Sequence, residues 1–282
     1  MCDAGFRVMM GAMAVQTLLI RTAGTNCDAE LAHAFRLAGA EVRIEHVNRL
    51  LARPAMFDRA GIIALPGGFS YGDDIAAGRI LANRLRHQLL EAFIAAIERG
   101  VPIIGICNGF QVLVKMGLLP APDRDSLGRQ LATLADNTHG RFVDRWGRLT
   151  VPTDTVCIWT QDLGELTLPV AHGEGRFTVA DPAIIQTLHR QRQVALRYAH
   201  NDNPNGSIDD IAGICDPSGL IFGLMPHPER YVHPTQHPQW TRLGDAAWHH
   251  TPAGLAMIRN AVEHVRASGG AKQTPSTSIT GH

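Results

Sequence analysis

The chain has 282 residues, of which 45% are hydrophobic and 18% are charged, a composition typical of a soluble globular protein. Lys plus Arg and Asp plus Glu both number 26, so no basic excess indicates a nucleic-acid partner or an anionic membrane surface. No apolar run approaches the length of a membrane span, and the five scattered cysteines show neither a C-x-x-C pair nor zinc-like spacing. These features predict a cytoplasmic protein without a membrane segment, a disulfide framework or a metal site.

Hydrophobic periodicity predicts that strands and helices alternate along the first part of the chain. The strands are expected at residues 14–20, 41–47, 61–65 and 101–106, and the helices around residues 31–38, 85–97 and 108–116. A glycine-rich loop, 66–74, follows the third strand. Strands that alternate with helices imply right-handed βαβ units, so this half of the chain is predicted to form a parallel sheet.

The second half of the chain carries a different pattern. Short antiparallel strands that decorate the main sheet are expected at residues 142–151, 156–160 and 167–171, and residues 194–199 resume the sheet. Two apolar runs flank the turn sequence Asp-Pro-Ser-Gly and predict a hairpin, and a last helix is expected at residues 254–265. One domain, 14–266, is therefore predicted, between an N-terminal extension (1–13) and a Gly-, Ser- and Thr-rich disordered tail (267–282).

A candidate nucleophile lies between the fourth strand and its helix, in Gly105-Ile-Cys-Asn-Gly109. The pattern G-x-nucleophile-x-G forms a tight turn in which Cβ atoms beside the nucleophile would not fit. The turn also places Cys107 at a helix N-terminus, which favours the reactive thiolate. The alternative is that Cys107 is a small buried hydrophobic residue, which is the interpretation we give to the other cysteines, including Cys27 near a helix start.

A thiolate nucleophile needs a base, and the base needs an orienting group. Such a pair is present in Met225-Pro-His-Pro-Glu-Arg230, where His227 and Glu229 are two residues apart and follow the second hairpin strand. Ligands gather at the carboxyl ends of parallel strands, so His227 is expected near Cys107. With 14 histidines in the chain, His172 and His200 stay open as rival bases.

Thiolate attack on an amide creates an oxyanion that backbone N–H groups can stabilise. The amide of Asn108, directly after the nucleophile, is one expected donor. Gly67 and Gly68 end the preceding strand and can bring a second N–H close, because neither has a side chain. An ordinary turn is the alternative, and a phosphate-binding loop is not supported because the chain contains no G-x-x-x-x-G-K-[ST] motif.

Three segments together resemble a known family: Gly105-Ile-Cys-Asn-Gly-Phe-Gln111, Pro66-Gly-Gly-Phe-Ser-Tyr-Gly-Asp-Asp74 and Met225-Pro-His-Pro-Glu-Arg230. They resemble the class I (triad) glutamine amidotransferases and, more narrowly, the glutaminase subunits of phosphoribosylformylglycinamidine synthase. The resemblance extends from about residue 14 to residue 265. It implies an α/β fold of the flavodoxin-like type: an open, mostly parallel sheet with helices on both faces and antiparallel β additions.

The resemblance also implies roles for individual residues. Cys107 would be the nucleophile, His227 the base and Glu229 its partner, with oxyanion donors at Gly68 and Asn108. Contacts to the glutamine substrate would come from Gln111, Asn137 and Phe142. One departure is visible, because His139 stands in Asn137-Thr-His-Gly-Arg-Phe142 where the family has Ser, and this substitution affects the expected glutamine contact.

The resemblance implies that the chain hydrolyses L-glutamine and supplies ammonia to a synthetase subunit in purine biosynthesis. No cofactor is expected on this chain; ATP and Mg are expected on the synthetase subunit, and a small third subunit is also expected. Nucleic acid and membrane are not expected as partners. The alternatives are another cysteine amide hydrolase on the same scaffold, or a noncatalytic regulatory subunit.

Overall fold

The computed structural model describes residues 14–244 and 250–271, so the predicted extension, 1–13, and residues 272–282 of the predicted tail lie outside the described part. The strands are β1 Gln16–Arg21, β2 Glu41–His46, β3 Ile62–Leu65, β4 Ile103–Ile106, β5 Ala132–Asp136, β6 Val143–Thr150, β7 Glu165–His172, β8 Glu174–Val179, β9 Val194–Tyr198, β10 Ile211–Cys215 and β11 Ile221–Leu224. The helices are α1 Asp28–Leu37, α2 Val47–Ala52, α3 Arg79–Glu98, α4 Asn108–Met116, α5 Ala183–Arg190, α6 Trp240–Leu243 and α7 Ala253–Ala271. Within the described ranges, no helix combines the length and apolar character that crossing a bilayer requires.

The main sheet has nine strands in the order β2-β1-β3-β4-β11-β10-β9-β6-β7. The five strands from β2 to β11 are parallel, and the other four pair antiparallel. The central strands are apolar and buried on both faces, as β3 and β4 show, whereas the edge strand β2 alternates in burial. This arrangement confirms the predicted α/β class with a mostly parallel sheet and antiparallel additions.

The second half of the chain departs from the prediction in several places. Strands β6 and β7 join the main sheet as a long hairpin instead of lying on it, while β5 and β8 form a separate two-stranded sheet. The predicted strand at 156–160 is wrong, because Ile158–Thr160 is a 3-10 turn. The apolar character of that segment comes from Trp159, which is fully buried and donates its indole N–H to the carbonyl of Leu220 at 2.9 Å. Strands β5 and β8 and helix α5 were not predicted.

Helices cover the sheet in two groups. Helix α3 packs against α4, and α1 packs against α7. Helix α7 runs to Ala271, beyond the end predicted at residue 265 and the domain boundary predicted at residue 266.

Three neighbouring parallel strands, β3, β4 and β11, end at the same edge of the sheet. Leu65 of β3 pairs with Gly105 of β4, and Ile106 at the end of β4 pairs with Leu224 at the end of β11. The loops that follow these strands begin at residues 66, 107 and 225. The glycine-rich loop, Cys107 and the His227–Glu229 segment therefore emerge side by side at the carboxyl edge, where ligands bind in open α/β sheets.

Candidate active site

Cys107 lies at a sharp turn between β4 and α4. Its φ of 51° and ψ of −107° are costly for a residue that has a side chain, and such strain concentrates at functional positions. Two glycines make the turn possible: a Cβ at Gly105 would lie 2.6 Å from the carbonyl oxygen of Gly109, and a Cβ at Gly109 would overlap the carbonyl oxygen of Leu65. The predicted strand-turn-helix geometry is confirmed.

His227 and Glu229 form a buried pair in the loop that follows β11. Nδ1 of His227 lies 2.6 Å from Oε1 of Glu229, and both side chains are buried. The loop is anchored from two sides. The backbone N–H of His227 donates to the carbonyl of Pro169 in β7 at 2.8 Å, and Gly254 of α7 packs so closely on Pro228 that a Cβ would overlap its carbonyl oxygen.

The structure brings Cys107 and His227 together. Gly67 separates them, because a Cβ at this position would lie 2.9 Å from Cε1 of His227 and 3.5 Å from Cβ of Cys107. Both residues line one cavity of about 480 Å³ at the carboxyl edge of the sheet. Nδ1 of His227 is hydrogen-bonded to the carboxylate of Glu229, whereas Nε2 is buried without a well-formed hydrogen bond. One ring nitrogen is therefore available for proton exchange with the sulfur or the substrate.

The surroundings of His227 favour its protonated form. Burial lowers its pKa, but the Glu229 carboxylate and the sulfur of Cys107 outweigh burial and hold the pKa well above its usual value. An imidazolium can pair with a neighbouring thiolate, which is the nucleophilic form of cysteine. The site can therefore hold a thiolate–imidazolium pair that is oriented by a carboxylate.

The two predicted oxyanion donors lie at the start of helix α4 and in the glycine-rich loop after β3. Asn108 is the first residue of α4, where backbone N–H groups lack intrahelical acceptors. Gly68 has a φ of 138°, and a Cβ there would lie 2.7 Å from both the nitrogen of Asn26 and the carbonyl oxygen of Gly24. The side chain of Asn108 ties the helix to the glycine-rich loop, because its Oδ1 accepts from the backbone N–H of Ser70 at 3.2 Å.

Gln111 extends this network along α4 to the cavity wall. Nδ2 of Asn108 donates to Oε1 of Gln111 at 3.0 Å and to Oδ1 of Asp73 at 3.2 Å. Nε2 of Gln111 donates to the carbonyl of Glu174 in β8. Gln111 lines the cavity, but both ends of its side chain are engaged, so its contact with a glutamine substrate stays a prediction.

The rival bases occupy different places. His172 lines the cavity, but Nδ1 lies 3.2 Å from Oδ1 of Asn137 and Nε2 lies 3.5 Å from Nδ2 of Asn205. Burial, helped by the charge of His227, lowers the pKa of His172 to about 4, so it is neutral at physiological pH. His200 is exposed in the turn after β9. Among the three histidines, His227 has the carboxylate partner and the available nitrogen.

Comparison with known proteins identifies a family that the chain matches. The model of the CobB/CobQ-like glutamine amidotransferase domain matches residues 14–265. The chain belongs to this family. A relative from Dehalococcoides mccartyi, described as phosphoribosylformylglycinamidine synthase subunit PurQ, is 46% identical over 89% of this chain and 98% of that protein. A subunit of the same description from Methanococcus maripaludis is 38% identical over 88% of this chain and 97% of that protein.

A solved structure is also similar to this chain. A chain of the structure described as PurLQS from Thermotoga maritima superposes with a TM-score of 0.68 at 31% identity, over 90% of this chain and the whole of that chain. The amidotransferase fold predicted from the sequence is therefore confirmed.

The segment that departs from the family pattern closes one side of the cavity. Nδ2 of Asn137 donates to the carbonyls of Arg141 at 2.8 Å and His172 at 2.9 Å, so Asn137 braces the wall from within. His139 joins two loops: Nε2 lies 3.0 Å from the carbonyl oxygen of Pro204, and Nδ1 accepts from the backbone N–H of Arg141 at 3.2 Å. In this family member, therefore, His139 supports the loop that contains Arg141. A serine at this position is shorter and could not make both of these contacts.

Phe142 marks the rim of the cavity. The residue is 54% exposed, and its ring lies beside Gly173, where a Cβ would be 3.7 Å from the ring. The predicted substrate contacts of Asn137 and Phe142 stay predictions. In the structure, Asn137 supports the cavity wall and Phe142 lies at the entrance of the cavity.

Cys27 and Arg230 also lie at this site, although the sequence pattern predicts a role there for neither. Cys27 lines the cavity, and its sulfur accepts from Nη2 of Arg230 at 3.2 Å. Burial raises the pKa of Cys27. Nε of Arg230 donates to Oε1 of Glu30 at 3.1 Å. The signal was the position of Cys27 in the loop after β1, which ends at the same edge as its parallel neighbour β3.

Cys27, His227 and Glu229 offer ligand atoms within 4.8 Å of one another, and no second grouping of this kind occurs in the described part of the chain. Within this grouping, Nδ1 of His227 and Oε1 of Glu229 are hydrogen-bonded to each other.

Proposed function

We propose that this chain is the glutaminase subunit of phosphoribosylformylglycinamidine synthase, which hydrolyses L-glutamine to glutamate and ammonia. One observation carries the proposal: a cysteine at a strained strand-helix turn shares a cavity with His227, whose imidazole is hydrogen-bonded to the buried Glu229. Relatives that are 35–46% identical over most of their length are described as the PurQ subunit of that synthase. We infer the catalytic roles of Cys107, His227 and Glu229 from this combination.

The chemistry follows from the positions of the three residues. The Cys107 thiolate attacks the side-chain amide carbon of glutamine, and the amide oxygen becomes an oxyanion that the N–H groups of Gly68 and Asn108 stabilise. His227 then gives its Nε2 proton to the departing nitrogen, which leaves as ammonia. The remaining γ-glutamyl thioester is hydrolysed when neutral His227 takes a proton from water. Glutamate is released and the thiolate is restored.

Ammonia is consumed on a partner subunit in this proposal. The chain has no phosphate-binding loop motif, so ATP and Mg are placed on the synthetase subunit, which converts formylglycinamide ribonucleotide to the amidine. A small third subunit is part of the same proposal. The exposed apolar side chains of Phe69 and Phe142 support docking of a partner at the cavity rim, because large apolar groups at a cavity mouth are typical of contact surfaces.

Replacement of Cys107 by Ala tests this division of labour. With the synthetase subunit present, Cys107→Ala is expected to abolish glutamine-dependent amidine formation but to spare formation from added ammonium salt. Cys215→Ala, which changes a buried cysteine of strand β10, is the matched control and should keep both activities. Loss of both activities in Cys107→Ala, with Cys215→Ala active, would contradict the proposal.

An electrophilic glutamine analogue separates the enzyme from its two alternatives. Labelling of Cys107 alone supports a glutaminase. Absence of labelling with the partner present favours a noncatalytic subunit, and cleavage of another amide or ester without ammonia release from glutamine favours a different cysteine hydrolase.

A further inference from the structure

Two cysteines, Cys27 and Cys107, lie beside Gly67. A Cβ added at Gly67 would lie 3.2 Å from the sulfur of Cys27 and 3.5 Å from Cβ of Cys107, so both residues pack against this glycine. Both line the same cavity, so a reagent small enough to enter can reach them together. The proposed glutaminase reaction uses Cys107 and leaves Cys27 without a role.

We propose that Cys27 is a resolving cysteine for Cys107. When a peroxide oxidises Cys107, Cys27 forms a reversible disulfide with it, which stops glutamine hydrolysis and protects the nucleophile from irreversible oxidation. This inference rests on the proposed function, because it requires Cys107 to be the reactive thiolate. The oxidant is a hydroperoxide of the size of hydrogen peroxide, which the cavity of about 480 Å³ admits.

The chemistry has two steps. In the first, the Cys107 thiolate attacks one peroxide oxygen; the O–O bond breaks, the sulfur is oxidised to sulfenic acid, and the other oxygen leaves as hydroxide, or as water after protonation. In the second, the sulfur of Cys27 attacks the Cys107 sulfenic sulfur; the S–S bond forms, the S–O bond breaks, and the oxygen leaves as water with the proton from Cys27. A dithiol reductant reduces the Cys27–Cys107 disulfide and restores both thiols.

The groups around Cys27 suit an attacking sulfur. Burial raises the pKa of Cys27, and its S–H donates to Oδ1 of Asn26 at 3.2 Å. The guanidinium of Arg230 acts in the opposite direction: it donates to the same sulfur at 3.2 Å and stabilises the thiolate formed when the proton leaves. Both Cys107 and Cys27 lie close enough to the ring of His227 to raise its pKa. Protonated His227 can give its proton to the leaving hydroxide in the first step, and the neutral imidazole that results is the local base for Cys27 in the second. Cys27 therefore lies in the cavity of the nucleophile, beside a cation and an acid–base group.

Cys157 and Cys215 provide the contrast within the same chain. They are buried near each other, and the proximity of Cys157 raises the pKa of Cys215. The sulfur of Cys215 lies 3.5 Å from the carbonyl oxygen of Gln193. Neither cysteine lines the cavity that holds His227 and Arg230. Of these four cysteines, Cys27 and Cys107 thus line the cavity and lie close to the imidazole of His227, whereas Cys157 and Cys215 do not line it.

Disulfide mapping of the full-length protein tests the proposal. The reduced protein is treated with increasing hydrogen peroxide, the remaining thiols are blocked with N-ethylmaleimide, and the digest is analysed by mass spectrometry. We expect a peptide pair that links Cys27 to Cys107, with a loss of about 2 Da relative to the two reduced peptides. Cys157 and Cys215 should be recovered as N-ethylmaleimide adducts. Glutaminase activity should fall as the linked peptide appears, and return when dithiothreitol is added.

Cys27→Ser is the deciding variant, with Cys27→Ala as a second version and Cys215→Ser as the matched control. Activity is measured relative to each variant's own untreated value. In the Cys27 variants, peroxide should carry Cys107 to sulfinic acid, a gain of about 32 Da, and dithiothreitol should not restore the activity. The Cys215 variant should behave as the wild type.

The outcomes separate this inference from the function on which it rests. Sulfinic acid on Cys107 of the wild type without a Cys27 link, or a link from Cys107 to a different cysteine, overturns the resolving role. Labelling of reduced Cys107 by an electrophilic glutamine analogue, measured on the same preparation, leaves the glutaminase proposal standing in that case. Failure of this labelling counts against the glutaminase proposal instead.

Discussion

Nδ1 of His227 lies 2.6 Å from Oε1 of Glu229, and each residue is only 1% exposed. A charge-assisted hydrogen bond in such a buried place orients the imidazole and stabilises its protonated form. The carboxylate of Glu229 raises the pKa of His227 against the opposing effect of burial. The pair therefore fixes which ring nitrogen faces the sulfur and keeps a proton available for the leaving ammonia.

Replacement of Glu229 by Gln should keep the shape of this pair and remove its charge. We expect kcat to fall by roughly 10²-fold or more, because the orienting carboxylate of a triad contributes on this scale. The pKa of His227 should fall, so the alkaline limb of the pH profile of kcat/KM should move to lower pH. Glu30→Gln, which removes the carboxylate bound to Arg230, is the matched control. An unchanged alkaline limb in Glu229→Gln would contradict the assigned pairing.

The side chain of Asn108 offers a second prediction, because it holds the glycine-rich loop against the nucleophile helix. Asn108→Ala removes the acceptor for the Ser70 N–H and the donor to Asp73. Loss of a buried hydrogen-bond partner costs about 1–3 kcal/mol, and here that loss frees the loop that carries the Gly68 amide. We expect kcat for glutamine hydrolysis to fall by about 10–100-fold.

The reactivity of the thiolate should respond differently in the same variant. Alkylation of Cys107 by iodoacetamide needs no oxyanion stabilisation, so its rate in Asn108→Ala should stay near that of the wild type. Equal losses in alkylation and in glutamine hydrolysis would mean that Asn108 acts on the thiolate rather than on the oxyanion.

The parallel half of the fold could be predicted because its signals are local. Strand β4 and helix α4 follow directly from an apolar run, two glycines and helical spacing, and β3 is a short apolar run before a glycine-rich loop. The triad was predicted because its members follow strands whose ends must meet in a parallel sheet. The sharp turn at Cys107 thus depends on residues that are neighbours in sequence. The resemblance to a family supplied the expected roles of Cys107, His227 and Glu229.

The errors arise where tertiary contacts decide the structure. Trp159 makes residues 156–160 apolar enough to indicate a strand. In the structure its indole N–H donates to the carbonyl of Leu220, and the segment around it forms a 3-10 turn. Strands β5 and β8 stabilise each other from distant parts of the chain, so neither shows a strong local signal. Cys27 reaches the site because β1 lies next to β3 in the sheet, an order that the sequence does not specify.

Gly109 gives a prediction about stability. A Cβ at this position would overlap the carbonyl oxygen of Leu65, a backbone atom of a central strand that cannot move aside cheaply. Gly109→Ala should therefore lower the free energy of unfolding by several kcal/mol, as severe backbone overlaps do. Gly147→Ala is the matched control, because the nearest atom to its Cβ would be 3.7 Å away. Urea unfolding curves of both variants check this, and equal stabilities would contradict it.

His172 gives a prediction about pH. Burial lowers its pKa from 6.5 to about 4, so as the pH falls below 6.5 the unfolded chain takes up a proton that the folded protein resists. The folded state is expected to lose up to about 3 kcal/mol from this residue between pH 6.5 and pH 4, and nothing from it above pH 6.5.

His172→Asn should remove this loss. The Asn side chain can still donate to Oδ1 of Asn137, as Nδ1 of His172 does at 3.2 Å, but it does not titrate. Urea unfolding at about pH 7 and about pH 4.5 is expected to show a smaller decrease in unfolding free energy for the variant than for the wild type. His200→Asn changes an exposed histidine and should retain the wild-type decrease. If the wild type and His172→Asn lost the same free energy over this range, His172 would not be buried in its neutral form, and its exclusion as the catalytic base would lose its main support.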